Sequence, residues 1–248
     1  MNNRKIAFGA SIALALSMLS VPALAAPFTN LVTNGDFEVA TGTGMIDYNT
    51  TVDSWSNPKV SGVNGTQYAY NFLYEPGKAD STGANGWDGN VKFWPTVTNS
   101  PSGGNFVAGD GAYYGGPISQ TISGLTPGQK YTLSFAYAAA QQAGFDGDNW
   151  SSWTGTFGGE SFQTSTLNNP SHGFTGWQNA SFTFTASSNS QVLSFLAAGG
   201  PTGVPPFALL DGVSIAPVPE PEEWAMMLVG AGLVSFQVKR KQAKANKA

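Results

Sequence analysis

The chain has 248 residues, a length typical of one ordinary domain with additional terminal segments, and it contains one His and no Cys. Charged residues make up 10% and apolar residues 41% of it, which excludes a highly charged disordered protein and a multi-span membrane protein. Seven of its 11 Lys and Arg residues lie in the terminal segments, so residues 27–218 carry four lysines against 12 acids, and this net charge of −8 excludes a nucleic-acid-binding protein.

The first 25 residues have the three parts of a secretory signal peptide. Arg4 and Lys5 supply the positive start, residues 6–19 the apolar run, and residues 23–25 the Ala-Leu-Ala cleavage site. We therefore expect cleavage after Ala25 and an exported mature chain. Because this chain has no Cys, core packing or a bound metal, rather than disulfides, must stabilise its fold. An uncleaved membrane anchor is the alternative, but the apolar run is shorter than the about 20 residues that a bilayer core requires.

The C-terminal segment combines a Pro-Glu-Pro motif, an apolar stretch and a basic tail, in that order. The motif is Pro219, Glu220 and Pro221, the apolar stretch runs over residues 224–238, and the basic tail includes Lys239, Arg240 and Lys241. The apolar stretch is compatible with a helix but has only about 15 residues, near the lower limit for a bilayer span. The basic tail would be retained on the cytoplasmic side. These residues predict one C-terminal transmembrane helix.

The succession of Pro-Glu-Pro, Trp224, an apolar helix with Gly230 and Gly232, and a basic cluster resembles the PEP-CTERM sorting signal of Gram-negative bacteria. This resemblance implies recognition by an exosortase, a membrane cysteine peptidase, with transient anchoring in the inner membrane. It also implies processing near the Pro-Glu-Pro motif and delivery to the cell surface or the exopolysaccharide matrix. Glu222 and Glu223, which precede the Trp, and the spread of Lys over the tail depart from the pattern. An ordinary C-terminal anchor is the alternative.

The body of the chain alternates apolar and polar residues with the period of β-strands and shows no helical periodicity. Tyr131, Leu133, Phe135 and Tyr137, for example, share one side of a half-buried strand. Strands are predicted at residues 118–122, 131–137, 180–185, 192–196 and 207–215. We therefore predict an all-β fold, an antiparallel β-sandwich of the jelly-roll type. The predicted domains are a signal peptide (1–25), a β-sandwich domain (26–217) and a sorting segment (218–248).

Parts of the body resemble the galactose-binding-like jelly rolls, a group that includes many carbohydrate-binding modules. The stretches that carry the resemblance are residues 31–38, 118–120, 124–135 and 210–215, which together bracket about 185 residues. For an exported protein, the resemblance implies a domain that binds carbohydrate, with an extracellular polysaccharide as the partner.

Two connections between predicted strands are long and rich in aromatic residues, residues 62–98 and residues 144–159. Loops at the ends of a β-sandwich often carry ligand contacts. The candidate sugar-stacking side chains in these two segments are Trp87, Trp94, Trp150 and Trp153. A sugar ring stacks its apolar C–H face on a flat aromatic ring, and Gln, Asp and Asn side chains near the second segment would satisfy sugar hydroxyls. The alternative is that these bulky side chains are buried in the core.

Glu38 and Asp211 form the candidate metal site. Asp211 shares the parity of apolar residues in the last predicted strand, which places a carboxylate on a buried face unless Gly212 makes a bulge. A buried carboxylate needs a cation, a metal or backbone donors beside it. The galactose-binding-like resemblance implies a structural Ca²⁺ between an acid of the first strand and one of the last. Gly212 stands where that pattern often has a second Asp, and hydrogen bonding without metal is the alternative.

The sequence gives little support for catalysis, and we expect no catalytic residue and no enzymatic activity. His172, the single His, lies in a turn without a nucleophile motif nearby and is expected to be a surface loop residue. A glycoside hydrolase would need two carboxylates facing each other across a cleft, for which Asp146, Asp148 and Glu160 are available. Two non-enzymatic interpretations remain, a carbohydrate-binding protein and a structural matrix or adhesion protein without a defined sugar pocket.

Overall fold

The structure is a computed structural model that describes residues 29–42, 44–62, 65–75, 91–94 and 97–219, with Val229 and Ser235 as single positions. The expected signal peptide, Trp87 and the sorting residues Glu220, Pro221, Trp224, Lys239, Arg240 and Lys241 lie outside the described residues. Within the part of the chain that is described, we find no helix of sufficient length and apolarity to cross a bilayer.

Fifteen strands are found in the described ranges. They are β1 (Ala40–Thr41), β2 (Gly44–Met45), β3 (Thr51–Val52), β4 (Lys59–Gly62), β5 (Gly65–Tyr68), β6 (Asn71–Tyr74), β7 (Phe106–Asp110), β8 (Ile118–Ser123), β9 (Lys130–Gln141), β10 (Asn149–Phe157), β11 (Glu160–Gln163), β12 (Leu167–Asn169), β13 (Gln178–Thr185), β14 (Ser190–Gly200) and β15 (Pro206–Pro217). Each of the five predicted strands overlaps one of them, namely β8, β9, β13, β14 and β15.

Two antiparallel sheets form a sandwich, which confirms the predicted all-β class. The six-stranded sheet has the order β13-β9-β15-β7-β6-β2. The five-stranded sheet has the order β11-β10-β14-β8, with β12 also paired to β10. Two small pairs, β1-β3 and β4-β5, lie outside both sheets. The long strand pairings, such as β9 with β15 and β10 with β14, join segments that are far apart in sequence.

The main core lies between the two sheets. It consists of alternate residues of each strand, those whose side chains point toward the opposite sheet. Leu133, Phe135 and Tyr137 of β9 are buried there, as their parity predicts. The ring of Phe135 packs edge-on against Phe195 of β14, with 5.0 Å between the ring centroids. Alternation in the sequence thus identifies the face of β9 that packs against the opposite sheet.

A second apolar cluster covers part of the other side of the six-stranded sheet. Ala138 and Ala140 of β9, which alternate with the main-core residues, pack there with Phe93 and Phe207. Trp177 closes this cluster as a half-buried residue, with its ring 5.6 Å from that of Phe106. The six-stranded sheet therefore packs against the five-stranded sheet on one side and is covered in part on the other.

Both segments that the sequence predicted as long loops contain strands, so this part of the prediction is wrong. Residues 62–98 include β5 and β6, and β6 lies inside the six-stranded sheet. Residues 144–159 include β10, which lies inside the five-stranded sheet. Gly155 of β10 allows its neighbours to approach closely, since a Cβ there would lie 2.0 Å from the Ser194 carbonyl oxygen and 2.5 Å from the Phe162 ring. Because this inward position has no apolar side chain, the alternation of apolar and polar residues that would predict a strand is interrupted here.

Candidate functional site

The side of the five-stranded sheet that faces away from the six-stranded sheet is the candidate site, and we call it the front face. Its residues share the outward parity of their strands and none of them is charged. They are Ser119 and Thr121 of β8, Val192, Ser194, Leu196, Ala198 and Gly200 of β14, Trp150, Ser152, Thr154 and Thr156 of β10, Ser161 and Gln163 of β11, and Asn168 of β12. Its exposed part consists of hydroxyl, amide and apolar groups, while Ser152 is buried, with 1% exposure.

Four hydroxyl side chains form a row across the front face. Ser119 pairs with Ser194, Ser194 with Thr156, and Thr156 with Ser161, each on a neighbouring strand. The Thr156 Oγ1 and Ser194 Oγ atoms lie 2.9 Å apart and share a hydrogen bond. With about 4.8 Å between strands, the row spans about 14 Å. It therefore presents several donors and acceptors at the regular spacing of the sheet.

Three apolar side chains are exposed on the same face. Trp150 is 39% exposed, Val192 51% and Leu196 37%. The indole of Trp150 lies over Gly200 of β14, where a Cβ would be 3.1 Å from the indole Nε1 atom and 3.3 Å from its Cε2 atom. The absence of a side chain at position 200 lets the ring lie across the sheet. Trp150 thereby offers a flat aromatic surface on the same face as the hydroxyl row, about 20 Å along β10 from Thr156.

A depression of about 340 Å³ lies where the front face meets the N-terminal segment. It is lined by Thr33, Ser54, Ser56, Ser119, Gln120, Thr121 and Val192. Gln120 fixes this wall, since its amide accepts a hydrogen bond from the Thr33 backbone N–H (2.9 Å) and donates one to the Thr33 carbonyl (2.8 Å). Ser56 and Ser119 exchange two backbone hydrogen bonds of 2.9 and 3.0 Å. The front face thus continues into a concave, uncharged wall.

Trp153, expected to stack on a sugar together with Trp150, lies in the core instead. It is fully buried, its indole N–H donates to the Leu209 carbonyl at 2.9 Å, and its ring meets Phe195 edge-on. The physical reason is the strand itself, because residues three positions apart in a strand point to opposite faces. In the described structure Trp153 therefore has no free ring face for a ligand.

Trp94 lies at one end of the sandwich and is not part of the front face. Its indole N–H donates to the Phe145 carbonyl at 2.7 Å, and its ring lies 4.3 Å from that of His172. His172 Nε2 is 2.6 Å from Asp146 Oδ1, and both side chains are exposed. The structure thus groups Trp94 with the loops before β10 and after β12, while Trp150 stands alone on the front face among the described candidates.

Asp110 is a buried acid that the sequence interpretation missed. Its Oδ1 atom accepts hydrogen bonds from the backbone N–H groups of Ala112 (2.8 Å) and Tyr113 (3.1 Å). Burial raises the pKa of Asp110 to about 6, and these two hydrogen bonds act against the increase. The carboxylate shapes the turn that presents Tyr113, which is 40% exposed. The Asp-Gly pair at residues 110–111, a common turn sequence, was the available signal.

Asp211 is fully buried on β15 beside a bulge. Its Oδ1 atom accepts from the Gly212 backbone N–H at 2.6 Å, and its Oδ2 atom accepts from the Ser100 hydroxyl. The pairing of β15 with β9 shifts register between Asp211 and Ser214, and Gly212 has a φ of 61°, which favours glycine. Gly212 therefore makes the bulge that the sequence analysis gave as an alternative. The Asp211 carboxylate accepts hydrogen bonds from both a hydroxyl and a backbone donor.

The surroundings of Asp211 are acidic. Burial raises the pKa of Asp211 to about 7, the hydrogen bonds from Ser100 and Gly212 lower it, and the charges of Asp36 and Glu38 raise it further. Glu38 is itself held by the segment that carries Ser100, since it accepts a hydrogen bond from the Asn105 backbone N–H. Within the described residues no three His, Cys, Asp or Glu side chains form a metal-binding group. A cation here would therefore take carboxylate oxygens together with hydroxyl or backbone oxygens.

No family model matches the chain, and no curated protein matches it. Among solved structures, it is similar to TmCBM61 in complex with β-1,4-galactotriose, with a TM-score of 0.43 and 12% identity over 77% of this chain and 99% of that one. A CBM4 structure gives a TM-score of 0.32 and 16% identity over 75% and 99% of the two chains. The enzymatically active domain of tailspike protein 4 of bacteriophage CBA120 gives 0.40 and 11%, over 76% of this chain and 21% of that one. Carbohydrate-binding modules and an enzymatically active domain thus both occur among the similar structures.

Proposed function

We propose that the protein is exported, non-catalytic and binds an uncharged polysaccharide on its front face. The observation that carries this proposal is the exposed indole of Trp150 on a sheet face that holds hydroxyl and amide side chains and no charged one. The C–H face of a sugar ring stacks on an aromatic ring, and its hydroxyl groups exchange hydrogen bonds with Ser, Thr, Asn and Gln side chains. A phosphate, sulfate or carboxylate would find no cation among the front-face residues.

The dimensions of the front face favour a polymer over a single sugar. The outward positions of β14 run from Val192 to Gly200, which is about 26 Å at the rise of a strand. Val192, Leu196 and the Trp150 indole over Gly200 mark three apolar points along this length. This length accommodates several sugar units, whereas the depression beside β8 is lined by Thr33, Ser54 and Ser56 of the N-terminal segment.

We extend the proposal to the C-terminus, which would act as an exosortase sorting segment. The last backbone hydrogen bond of the body runs from the Val218 N–H to the Lys130 carbonyl at 2.8 Å, and the Pro-Glu-Pro motif follows directly. Processing there would leave the body at the cell surface or in the exopolysaccharide matrix. A polysaccharide-binding body and a surface-sorting segment serve one purpose, retention in a glycan layer.

A structural Ca²⁺ beside Asp211 and Glu38 is part of the same proposal. The donor set suits it, because Ca²⁺ prefers carboxylate, hydroxyl and backbone oxygens, and Asp211 is buried among neighbouring acids whose charges a cation would neutralise. Bound there, the ion would neutralise charge and join β15 to the segment that carries Ser100 and Asn105. Its role would be stability of the body, away from the front face.

Affinity electrophoresis of the purified protein tests the binding proposal. The gels contain soluble galactan, β-glucan or galactomannan, with polygalacturonate as the anionic comparison. We expect retardation by at least one neutral polymer and none by polygalacturonate. Trp150→Ala should weaken the retardation about five-fold, since one stacking contact is worth about 1 kcal/mol. Trp94→Ala, which removes an indole from the end of the sandwich, is the matched control and should bind like the unmodified protein.

Three results would contradict this function or its place on the front face. Retardation by polygalacturonate alone would show that the ligand is anionic. Absence of retardation by every polymer, with the protein folded, would favour the structural matrix role without a sugar site. Loss of binding in Trp94→Ala but not in Trp150→Ala would move the site to the end of the sandwich.

A further inference from the structure

A second uncharged depression lies on the opposite side of the sandwich, on the outer side of the six-stranded sheet. We call it the rear groove. It has a volume of about 270 Å³ and is lined by Pro101, Ser102, Ser134, Phe135, Ala136, Asn179, Ala180, Ser181 and Gly212. Ser134 alternates with Leu133 and Phe135, which face the five-stranded sheet, so the Ser134 side chain faces away from it. The rear groove and the front face therefore point in opposite directions.

Hydroxyl side chains form rows here as they do on the front face. Ser181 of β13, Ser134 of β9 and Ser214 of β15 are register partners across three strands. In the next outward row Thr183 pairs with Thr132. The residues that line the rear groove carry no charge, like those of the front face, and its one aromatic residue, Phe135, is only 2% exposed, so hydroxyl and amide groups would make the contacts. An uncharged, hydroxyl-rich polymer is the ligand class that both surfaces can accommodate.

The rear groove is bounded on two sides by packed residues. The outer side of the sheet beyond Ala136 is covered by the second apolar cluster, which includes Phe93 and Phe207, so the open part is bounded. On the other side Ser102 stands directly over Gly212, where a Cβ would lie 2.2 Å from the Ser102 hydroxyl. The Ser102 N–H donates to the Ser100 hydroxyl at 3.2 Å, which fixes this wall to the bulge of β15.

We infer that the body binds two uncharged polysaccharide chains at once, one on the front face and one in the rear groove, and so cross-links them. This inference rests on the proposed function, because it assigns the same ligand class to both sides. Stacked sheets lie about 10 Å apart, and the outward side chains add to this, so the two bound chains would not collide. A body with two binding sites on opposite sides would hold two polysaccharide chains together and so cross-link a polysaccharide network.

The test compares binding with cross-linking in variants that block one side each. Thr156→Glu places a carboxylate at the centre of the front-face row, and Ser181→Glu places one in the rear groove; both positions are exposed. Ser187→Glu adds the same charge at an exposed turn outside both sites and is the control. Affinity electrophoresis measures binding to galactan, β-glucan and galactomannan, and the turbidity and viscosity of the same solutions measure cross-linking.

We expect the unmodified protein and Ser187→Glu to cross-link, with a maximum at an intermediate ratio of protein to polymer. Thr156→Glu and Ser181→Glu should each still be retarded in the gel but lose cross-linking, and the double variant should lose both. Circular dichroism and the melting temperature of each variant verify folding, and Thr183→Glu replaces Ser181→Glu should the latter not fold.

Failure of the inference and failure of the proposed function give different results. If the unmodified protein is retarded but does not cross-link, or if Ser181→Glu cross-links as well as the control, the inference is wrong and the proposed function stands. Cross-linking by a self-associated protein with one site would survive Ser181→Glu, and sedimentation of the free protein identifies that case. If no polymer retards the unmodified protein, both the proposed function and the inference are wrong.

Discussion

The indole of Trp150 on β10 lies across Gly200 of the neighbouring strand β14, so that a Cβ at position 200 would be 3.1 Å from the indole Nε1 atom. This pairing leaves one side of the ring on the sheet and the side chain 39% exposed. The residue that determines the pose of the exposed aromatic ring is thus a glycine 50 residues away in the chain.

Substituting Gly200 should therefore act on binding through Trp150. In Gly200→Val the side chain would occupy the place of the indole and displace it from the sheet. We expect glycan affinity to fall about five-fold, the loss given for Trp150→Ala, because the same stacking contact of about 1 kcal/mol is removed. Isothermal titration with the polymer identified in the gels measures it. Ala198→Val, one outward position earlier on β14, is the control, and equal affinity loss in both variants would refute the role of Gly200.

The two tryptophans of β10 should respond differently to truncation. Trp153→Ala removes a fully buried indole and leaves the Leu209 carbonyl without its donor, which should lower the free energy of unfolding by about 3–5 kcal/mol. Trp150→Ala removes a partly exposed ring and should cost about 1 kcal/mol or less. Urea denaturation followed by circular dichroism compares them. A larger loss in Trp150→Ala would contradict the assignment of the two faces of β10.

Chelation should destabilise the body if Ca²⁺ binds beside Asp211. A ligand that binds only the folded state contributes about 2.7 kcal/mol when present at 100 times its dissociation constant, so EDTA should lower the melting temperature and excess Ca²⁺ should restore it. Asp211→Ala and Glu38→Gln should each abolish the difference between the two conditions. Differential scanning calorimetry measures all three proteins. An unchanged melting curve in EDTA would leave Asp211 with its Ser100 and Gly212 hydrogen bonds alone.

The stability of the metal-free protein should depend on the protonation of Asp211. The pKa of this group is raised from 3.8 to about 7 in the folded state, so the folded protein binds more protons than the unfolded one between these values. The stabilisation by the proton is complete below about pH 4 and is lost as the pH rises through 7, with a slope of up to about 1.4 kcal/mol per pH unit.

Urea denaturation in EDTA at pH 4.5 and pH 7.5 measures this dependence. The free energy of unfolding of the unmodified protein should fall between the two values relative to that of Asp211→Asn, which cannot ionise. Asp110, whose pKa is raised to about 6, is present in both proteins and cancels in the comparison. Parallel curves for the two proteins would show that Asp211 does not titrate in this range.

The sorting proposal predicts the location and the mass of the mature protein. In a host with its exosortase, the surface protein should lack the segment after Pro219, Glu220 and Pro221, and deletion of residues 224–248 should release the body into the medium. Mass spectrometry of the surface fraction identifies the C-terminus. An intact tail that still carries Lys239 to Ala248 on surface protein would refute processing, although not export.

Local patterns in the sequence were sufficient for the strands whose inward positions are apolar. In β9, Leu133, Phe135 and Tyr137 give the period of two that identifies both the strand and its buried face. In β10 the inward positions include Asn149, Ser151 and Gly155. The side chains of this strand alternate between the two faces, but apolar and polar residues do not alternate in its sequence. The sequence pattern therefore predicts a loop here, and it does not indicate that Trp150 is exposed while Trp153 is buried.

By itself the sequence determined the all-β class and identified the terminal segments as candidate export and sorting signals. It also identified the tryptophans and acids that could bind a ligand or an ion. Only the tertiary structure decided which of them meet. The row of Ser119, Ser194, Thr156 and Ser161 joins residues from four strands through pairings between distant segments. The register of such pairings depends on how the whole core packs, and a shift by one residue would turn each of these side chains to the other face. The front face is thus a property of the packed sheets, which no single stretch of the chain contains.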